Sequence, residues 1–412
     1  MNETQLPKTS RRAAVAFIFV TVALDMLALG MVIPVLPKLV ESFVGGDTGR
    51  ASEIFGLFAT AWALMQFVSS PVLGALSDRF GRRPIVLVSN FGLGLDYIVM
   101  ALAPSLAWLF AGRIISGIAA ASVATSFAYI ADVTPAEKRA ASFGLVGAAF
   151  GLGFILGPAL GGVLGGVDPR LPFWVAALLS LLNGMYGLLV LPESLPKERR
   201  MAFAWARANP VGSLVLLRQH RELLGLAGVN FLGNLAHAVL PSVTVLYATY
   251  RYGWDNGVMG LTLAGVGACS VVVQVFAIGP FVRRFGERGA LLIGLASGAA
   301  GFAIYGLAET GPAFWAGIPV MALWGMSGAA VQGLMTRRVS ASEQGQLQGA
   351  NSSVTGIANL IGPSIFTLTF AYFIGAGRDW QLPGASFLLA SGLLLASMAL
   401  AVRLTRRETG VS

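Results

Sequence analysis

Long apolar runs separated by short polar segments make up most of this chain. A helix needs about 20 predominantly apolar residues to cross the hydrocarbon core of a bilayer. The chain has twelve runs of about that length, and we therefore predict an all-α integral membrane protein with twelve transmembrane helices. The runs occupy residues 13–36, 54–76, 84–103, 107–131, 140–164, 173–191, 222–249, 257–282, 289–308, 313–336, 347–375 and 385–404.

The composition agrees with this pattern and argues against an ordinary soluble enzyme. Hydrophobic residues fill 56% of the 412 positions and charged residues only 11%, whereas soluble domains carry about 25% charged residues. The single cysteine, Cys269, excludes an intrachain disulfide and a cysteine-based metal site. There is no Walker loop, and two histidines do not support a catalytic triad. We expect no enzyme activity, no metal and no cofactor.

The basic residues indicate the orientation in the membrane. Most of the 28 lysine and arginine residues fall in alternate segments between the apolar runs. The positive-inside rule makes these segments cytoplasmic and puts both chain ends in the cytoplasm. Membrane topology therefore accounts for the net charge of +9, and no nucleic-acid partner is needed. Five basic residues lie in the outer segments: Lys38, Arg50, Arg170, Arg251 and Arg378.

The chain contains an internal repeat. GALSDRFGRRP, which starts at Gly74, has a degenerate copy, GPFVRRFGER, which starts at Gly279. Gly157-Pro158 recurs as Gly362-Pro363 at the same offset of 205 residues. Parallel repeats of six helices, with a substrate site at their interface near the bilayer midplane, are a transporter architecture. We predict an N-terminal six-helix half at 1–191, a cytoplasmic linker at 192–221 and a C-terminal six-helix half at 222–412.

Three charged residues inside the apolar runs are the main functional candidates. A charge at the bilayer centre costs at least a few kcal/mol. Asp25, Asp96 and Arg113 each lie about 18–21 Å above the cytoplasmic end of the membrane, at 1.5 Å per residue. Burial favours a neutral carboxyl group and a nearby guanidinium favours a charged one, so two acids beside one arginine suit coupled proton exchange. The alternative is a static buried pair that fixes the helices.

Polar and aromatic residues within the runs are candidate substrate contacts. Amides near the midplane can bind substrate or join helices, and aromatic rings can bind a cation or pack. A histidine titrates near neutral pH or serves as a hydrogen-bonded packing group. We predict substrate contacts at Gln66, Trp62, Tyr97, Asn234, His237, Gln274, Gln332 and Asn359, with Phe231 and Trp324 as further aromatic candidates.

Several motifs resemble the major facilitator superfamily. GALSDRFGRRP is similar to the family signature G-x-L-x-D-R-x-G-R-R/K at every fixed position, RIISGIAAA to its span-four motif and GFILGPALGG to the span-five motif of its antiporters. The resemblance covers essentially the whole chain. Through LGMVIPVLPKL, GLDYIVMA, RYGW and EQGQLQGANSS it is closest to the twelve-span drug:proton antiporters, specifically the tetracycline exporters. It implies a monomer in the bacterial inner membrane that exports amphipathic drugs in exchange for protons by alternating access. A proton symporter for a small organic nutrient is the alternative.

The resemblance also implies conformational roles for two motifs. In the family, the motif aspartate meets the start of span eleven and the motif arginine reaches the acid that ends span four. The corresponding conformational lock comprises Gly74, Asp78, Arg82 and Asp132. An antiporter hinge, or alternatively ordinary helix packing, corresponds to Gly153, Gly157, Pro158 and Gly161.

Two positions depart from the tetracycline exporters. That family has a histidine in span eight and an aspartate in span nine, both tied to proton coupling and to the metal-chelated drug. Alignment on the glycines and on Gln274 puts Ser270 and Gly298 at these places, and neither can ionise. We therefore expect a proton-coupled exporter without a dedicated site for a metal–tetracycline chelate. A channel would need a continuous polar lining, whereas the charge inside the runs is confined to one layer.

Overall fold

The protein is helical throughout the part of the chain that the structure describes. This computed structural model describes residues 8–120, 122–134, 139–203, 205, 209, 212–219, 221–340 and 343–406. No strand occurs among these residues. The prediction of an all-α fold is therefore confirmed.

The N-terminal part contains eight described helices. They are α1 (Lys8–Val32), α2 (Leu36–Phe43), α3 (Thr48–Phe80), α4 (Arg82–Leu102), α5 (Leu106–Ala119), α6 (Ser122–Val133), α7 (Arg139–Val167) and α8 (Leu171–Val190). A 3₁₀ turn at Lys197–Arg199 follows α8 within the predicted linker.

The C-terminal part repeats this arrangement with more interruptions. Its helices are α9 (Val215–Gln219), α10 (Arg221–His237), α11 (Val239–Tyr252), α12 (Asn256–Val272), α13 (Ile278–Leu307), α14 (Gly311–Ala322), α15 (Gly325–Thr336), α16 (Gln344–Ile374) and α17 (Ala385–Arg406). A π-helical turn, Val273–Ala277, joins α12 to α13.

The helices account for the predicted number of membrane crossings. Ten stretches of the described chain are long and apolar enough to cross a bilayer. One of them, Asn256–Leu307, has 52 residues, which is more than two crossings of about 20 residues require, and its backbone turns at Gly286. The short apolar helix α5 is continued by α6. With Asn256–Leu307 counted twice and α5–α6 once, the described chain has twelve spans.

Packing divides the chain into two compact units. The first comprises Met1–Leu36 and Leu64–Pro210, and the second comprises Pro37–Ala63 and Val211–Ser412. This division differs from the halves predicted from the sequence in the placement of Pro37–Ala63. The predicted boundaries of the halves and the linker stay a prediction.

Pro37–Ala63 packs on α16 within the second unit. The hydroxyl group of Ser52 donates to the carbonyl oxygen of Thr367 at 3.0 Å. The hydroxyl oxygens of Thr60 and Ser364 are 2.8 Å apart. Interhelical bonds of this kind help to hold transmembrane helices together. Such pairing between distant segments does not show in the apolar periodicity of either one.

The repeated turn has the same backbone feature in both copies. Gly81 lies between α3 and α4 with φ of 108°, and Gly286, 205 residues later, has φ of 68°. Residues with a Cβ atom rarely adopt positive φ, whereas glycine does so readily. Glycine at both positions allows the chain to reverse, and this shared conformation supports the predicted repeat.

Candidate functional site

A buried group of ionisable residues lies inside the first unit. Asp25 on α1 and Arg113 on α5 are each 8% exposed, and Asp96 on α4 is 1% exposed. Tyr97 is also buried, and its phenol interacts electrostatically with all three charged residues. The structure therefore brings Asp96 and Arg113 together, and Tyr97 lies near enough to interact with both of them and with Asp25.

Helix α5 approaches Asp96 at a glycine. A Cβ atom at Gly112 would lie 3.0 Å from Asp96 Oδ1 and 2.6 Å from Met100 Cγ. The next residue along α5 is Arg113, which interacts electrostatically with Asp96. Arginine stays protonated, so Asp96 faces a permanent positive charge in a site from which water is largely excluded. Gly112 does not stand out in the sequence, where its only signal is its place directly before the arginine.

An asparagine on α8 holds Asp25. The Asn183 Nδ2 atom donates to Asp25 Oδ1 at 3.1 Å and to the carbonyl oxygen of Thr21 at 3.2 Å. Asn183 is fully buried. The sequence analysis also missed this residue. The available signal was a polar amide in an otherwise apolar run. Its depth in the membrane does not distinguish it from the other amides within the runs.

Close glycine contacts position the helix that carries Asp25. A Cβ atom on Gly157 of α7 would lie 2.7 Å from the Cα atom of Gly30 on α1. A Cβ atom on Gly153 would lie 2.8 Å from the backbone nitrogen of Leu27. The two backbones therefore touch within two turns of Asp25. These glycines of the predicted hinge fix the distance between α1 and α7.

The other two residues of the predicted hinge lie on the same helix. Gly161 faces the backbone of Met31 so closely that a Cβ atom would overlap the carbonyl oxygen. Pro158 lies inside α7, which runs as one helix from Arg139 to Val167. A proline removes one helical hydrogen bond and weakens the helix locally. Whether α7 bends there during transport stays a prediction.

Two of the predicted substrate contacts in the second unit are bonded to neighbouring amides. The Asn234 Nδ2 atom donates to the carbonyl oxygen of Asn230, one turn earlier, at 2.8 Å. Gln332 Oε1 accepts a hydrogen bond of 2.9 Å from Asn351 Nδ2. Each amide retains further capacity for hydrogen bonds. These contacts therefore leave a substrate role open.

Three further predicted contacts in the second unit differ in exposure. His237 is exposed, and its ring centroid lies 5.7 Å from that of Trp324. Gln274 is exposed on the π-helical turn, and Asn359 is half-buried on α16. Because π-helical turns occur often at functional sites, the position of Gln274 supports its choice as a candidate.

Gln66 and Trp62 lie one turn apart on α3. Both side chains are half-buried. Trp62 falls in the part of α3 that belongs to the second unit, and Gln66 in the part that belongs to the first. A single helix thus carries predicted substrate contacts in both units.

The motif between α3 and α4 forms an ion-pair network. Arg82 Nη1 lies 2.6 Å from Asp78 Oδ1, and Arg82 Nε lies 3.1 Å from Asp132 Oδ2. Arg82 Nη1 also donates to the hydroxyl oxygen of Ser77 at 2.6 Å. Arg82 therefore joins the ends of α3, α4 and α6. Gly74 lies on α3, about two turns before Arg82, and a Cβ atom on it would meet nothing within 4 Å.

The start of the linker binds to this network, which the sequence analysis did not predict. Glu193 Oε1 accepts a 2.9 Å hydrogen bond from the backbone N–H of Arg82. The hydroxyl group of Ser194 donates to Asp132 Oδ2 at 3.2 Å. Glu193 thus caps the N-terminus of α4, where a negative charge is favourable. The sequence analysis treated both residues only as part of a polar linker.

The second repeat contains the same ion pair with its charges reversed. Glu287 and Arg337 lie 205 residues after Arg82 and Asp132, and Arg337 Nη2 is 2.8 Å from Glu287 Oε1. The first pair joins α4 to α6, and the second joins α13 to α15. The amino-acid types at these positions differ between the two repeats, because the basic and acidic residues have exchanged places. A comparison of residue types therefore does not detect the shared ion pair.

The two positions that depart from the tetracycline exporters carry no ionisable side chain. The hydroxyl group of Ser270 donates to the carbonyl oxygen of Val266 at 2.9 Å. A Cβ atom at Gly298 would lie 2.7 Å from Leu394 Cδ1 and 2.7 Å from Trp324 Cγ. Within the described residues, no group of three or more His, Cys, Asp or Glu side chains is placed to hold a metal ion.

Twelve membrane spans, some of which carry buried charged residues, are typical of a membrane transporter. The sequence profile of the Major Facilitator Superfamily matches residues 18–363. The class C tetracycline resistance protein of Escherichia coli is 38% identical, over 93% of this chain and 94% of that protein. The class G protein of Vibrio anguillarum is 36% identical, over 90% of this chain and 93% of that protein. The chain belongs to the Major Facilitator Superfamily and, within it, to the family of the tetracycline resistance proteins.

Solved structures agree with this assignment. The human organic anion transporter MFSD10 (TETRAN) superposes with a TM-score of 0.70 at 25% identity, over 96% of this chain and all of that one. A bacterial homolog of the human lysosomal transporter Spinster, in its inward-facing and unoccupied conformation, gives a TM-score of 0.79 at 16% identity, over 97% and 98% of the two chains. The second similarity concerns the fold alone.

The family assignment decides between the functions that the sequence left open. The tetracycline resistance proteins are proton-coupled antibiotic exporters and not enzymes. The predictions of the family, of the twelve-helix fold and of drug efflux are therefore confirmed, and the nutrient symporter is the disfavoured alternative. The chain is a multi-pass membrane protein that moves a small molecule with the help of protons.

Proposed function

We propose that this protein exports medium-sized amphipathic compounds and that Asp25 and Asp96 carry the protons exchanged for them. Arg113 acts as a fixed electrostatic partner. The observation that carries the proposal is that Asp25, Asp96 and Arg113 are all buried in the first unit, with Asp96 beside the guanidinium group of Arg113.

The negative charge of Asp25 and Asp96 can couple proton release to substrate binding. A carboxylate inside a membrane protein is costly unless a positive charge compensates it. A proton and a cationic substrate can each provide that charge, so binding of one favours release of the other. Arg113 contributes a constant positive charge, because an arginine does not release its proton. Asp96 lies beside this charge, whereas Asp25 is bonded to an amide, so the two acids have different environments.

The substrate contacts are proposed from the residues selected in the sequence. Tyr97 belongs to the charged group, and exposed His237 lies beside Trp324. Aromatic rings attract cations, and amides fix the orientation of polar substituents. The amides in this set are Gln66, Asn234, Gln274, Gln332 and Asn359, and Trp62 completes it.

The roles of the conformational lock and of the hinge are also proposals. Arg82 already contacts two acids of the first unit, and such a network can switch when the cytoplasmic side opens. The glycines on α7 bear on α1 near Asp25, which would link a change in α7 to the proton site. We further propose that the protein works as a monomer in the bacterial inner membrane with both chain ends in the cytoplasm.

Reconstituted vesicles test the proposed function directly. The purified protein is incorporated into liposomes with an imposed pH gradient and an internal pH-sensitive dye, and lipophilic cations such as ethidium are added together with other amphipathic drugs. We expect some of these compounds to dissipate the gradient saturably and only in vesicles that contain the protein. A flux that does not saturate and ignores the proton gradient would contradict coupled exchange.

Tetracycline itself is a second candidate substrate. The 38% identity to a class C tetracycline resistance protein over most of both chains favours it. The surroundings of Ser270 and Gly298 argue against a chelate site built as in those relatives. The comparison of tetracycline with lipophilic cations therefore distinguishes the two candidates.

A further inference from the structure

Asn183 touches the carboxyl group of Asp25 from a neighbouring helix. Its side chain is fully buried. Its Nδ2 atom donates to Asp25 Oδ1 at 3.1 Å and to the carbonyl oxygen of Thr21 at 3.2 Å. Residues 21 and 25 are four positions apart and lie on one face of α1. A single amide group therefore binds the face of α1 that carries the proposed proton site.

The contact with Thr21 fixes the orientation of the amide. A backbone carbonyl oxygen can only accept hydrogen bonds, so the NH₂ group of Asn183, and not its oxygen, must face it. The same NH₂ group then faces Asp25 Oδ1. Because that oxygen receives a hydrogen bond, it stays an acceptor. A proton carried by Asp25 is therefore favoured on Oδ2, because a protonated Oδ1 would be a much weaker acceptor for Asn183.

We infer that Asn183 is a positioning residue for proton exchange at Asp25, which directs the proton to Oδ2 and stabilises the ionised carboxylate. This inference rests on the proposed function, in which Asp25 carries a proton. When Asp25 is charged, the hydrogen bond from Asn183 becomes charge-assisted and hence stronger than a neutral one. Asn183 thus helps to set the pH at which Asp25 releases its proton.

The polar surroundings of Asn183 argue against a role in packing alone. Asn183 Oδ1, Thr21 Oγ1, Ser180 Oγ and both polar side-chain atoms of Asn90 lack a hydrogen-bond partner among the described residues. All four side chains are at most 1% exposed. Unpaired buried polar atoms destabilise a fold unless water binds to them. Apolar side chains would pack these helices at lower cost, so the polar set needs a functional reason.

The helix contacts place this polar set at one level of the unit. Ser180 precedes Asn183 by three residues and lies on the same face of α8. A Cβ atom on Gly184 would lie 3.1 Å from the ring of Phe91. That contact brings the turn of α4 that contains Asn90 beside the turn of α8 that contains Asn183. The polar set thus adjoins Asp25 between α1, α4 and α8.

Asn183→Leu removes no ionisable group from the surroundings of Asp25. Asp96, Tyr97 and Arg113 belong to the same buried group. The helices α6, α7 and α8 pack against α1 as well. Their ionisable residues are Tyr129 and Asp132 on α6, Arg139 at the start of α7 and Tyr186 on α8. A change in titration caused by Asn183→Leu therefore reports on the lost amide.

An infrared pH titration of the full-length protein in lipid vesicles tests the inference without any substrate. Protonated carboxyl groups give a C=O stretching band. The difference between the bands of the wild-type protein and of Asp25→Asn is the contribution of Asp25. In Asn183→Leu we expect the midpoint of this band to move up by about one pH unit, a tenfold change in proton affinity. We also expect the band to shift to higher frequency, because the C=O group loses its donor.

A matched variant controls for the loss of a buried bond between helices. The hydroxyl group of Ser397 donates to the carbonyl oxygen of Val229 at 3.2 Å in the second unit, and Ser397 is fully buried. Ser397→Ala should leave the midpoint and the frequency of the Asp25 band unchanged. An equal shift in this control would mean that Asn183 acts only through packing.

The outcomes separate this inference from the proposed function. If Asp25→Asn removes no band, Asp25 does not titrate and its proposed role as a proton carrier fails. If that band exists but Asn183→Leu changes neither its midpoint nor its frequency, only the positioning role fails. If Asn183→Leu does not fold, the frequency of the Asp25 band in the wild-type protein tests the inference instead. A frequency typical of a hydrogen-bonded C=O supports the inference, and a free C=O frequency overturns it.

Discussion

Asp25 is the residue whose replacement should separate proton coupling from folding. Asparagine has nearly the shape of aspartate but cannot carry a proton, so Asp25→Asn should reduce transport driven by a pH gradient to the background of empty vesicles. The protein should still insert and remain monodisperse. Asp379→Asn is the matched control, because Asp379 is exposed in a 3₁₀ turn. Undiminished uphill transport by Asp25→Asn would remove Asp25 from the coupling role.

A second prediction for a single residue concerns the glycine beside Asp96. Gly112→Ala puts a methyl group 3.0 Å from Asp96 Oδ1 and 2.6 Å from Met100 Cγ. Overpacking of this kind costs about 1–3 kcal/mol. We expect a lower melting temperature and slower proton-coupled transport, because Met100 and Asp96 must shift to make room for the methyl group.

The control for that variant is a second glycine of the same helix pair. A Cβ atom on Gly92 of α4 would meet the Cβ atom of Ala119 at 3.5 Å, which is an ordinary contact. Gly92→Ala should therefore change neither the melting temperature nor the transport rate appreciably. Equal effects of Gly112→Ala and Gly92→Ala would show that the space beside Asp96 has no special importance.

The charged residues of the site could be selected from the sequence, whereas their partners could not. A charge inside an apolar run is costly, so Asp25, Asp96 and Arg113 stand out at once. Asn183 and Gly112 do not stand out, because amides and glycines occur in transmembrane helices for packing as well. Their importance comes from which atom they face on another helix. That information lies in the packing and not in the chain pattern.

At the scale of helices, the linker start should stabilise the end of α4. Glu193 Oε1 accepts the N–H of Arg82, and loss of a helix cap costs about 1 kcal/mol. For Glu193→Ala we expect about fivefold faster chymotrypsin cleavage of the linker, where Phe203 and Trp205 are cleavage sites. Exposed Glu198 provides the control Glu198→Ala. Identical cleavage rates in both variants would refute the cap.

Helix boundaries followed from apolar runs, but interruptions within the spans did not. A turn at Leu323 and Trp324 separates α14 from α15 within the predicted tenth span, and a π-helical turn separates α12 from α13. Neither place has a proline, which is the residue that most often breaks a helix in a sequence. Packing by the surrounding helices decides such interruptions. The exposed position of Gln274 on the π turn follows from this irregularity.

At the scale of the whole chain, duplication explains more than the motif letters show. The positive φ of Gly81 recurs at Gly286, and the ion pair between Arg82 and Asp132 recurs with reversed charges between Glu287 and Arg337. Attraction between opposite charges is unchanged when both partners exchange sign. The repeat has therefore preserved an interaction while its residues changed. Asp78, by contrast, is replaced by Arg283 in the second copy, so the acidic part of the lock belongs to one half.

The identity of the substrate is a property of the whole transporter, and a comparison of drugs in cells tests it. We expect cells of a drug-sensitive strain that express this protein to exclude lipophilic cations such as ethidium several-fold better than tetracycline with magnesium. The physical reason is that Ser270 is bonded within its own helix and that Leu394 and Trp324 fill the space at Gly298. Neither position carries an ionisable side chain, whereas the resemblance implies an ionisable pair there in a transporter that binds the chelate. Cells that express Asp25→Asn are the control, because they should accumulate both compounds. Strong, magnesium-dependent exclusion of tetracycline would instead show that other residues, with Asp96 and Gln66 as the first to test, suffice to bind the chelate.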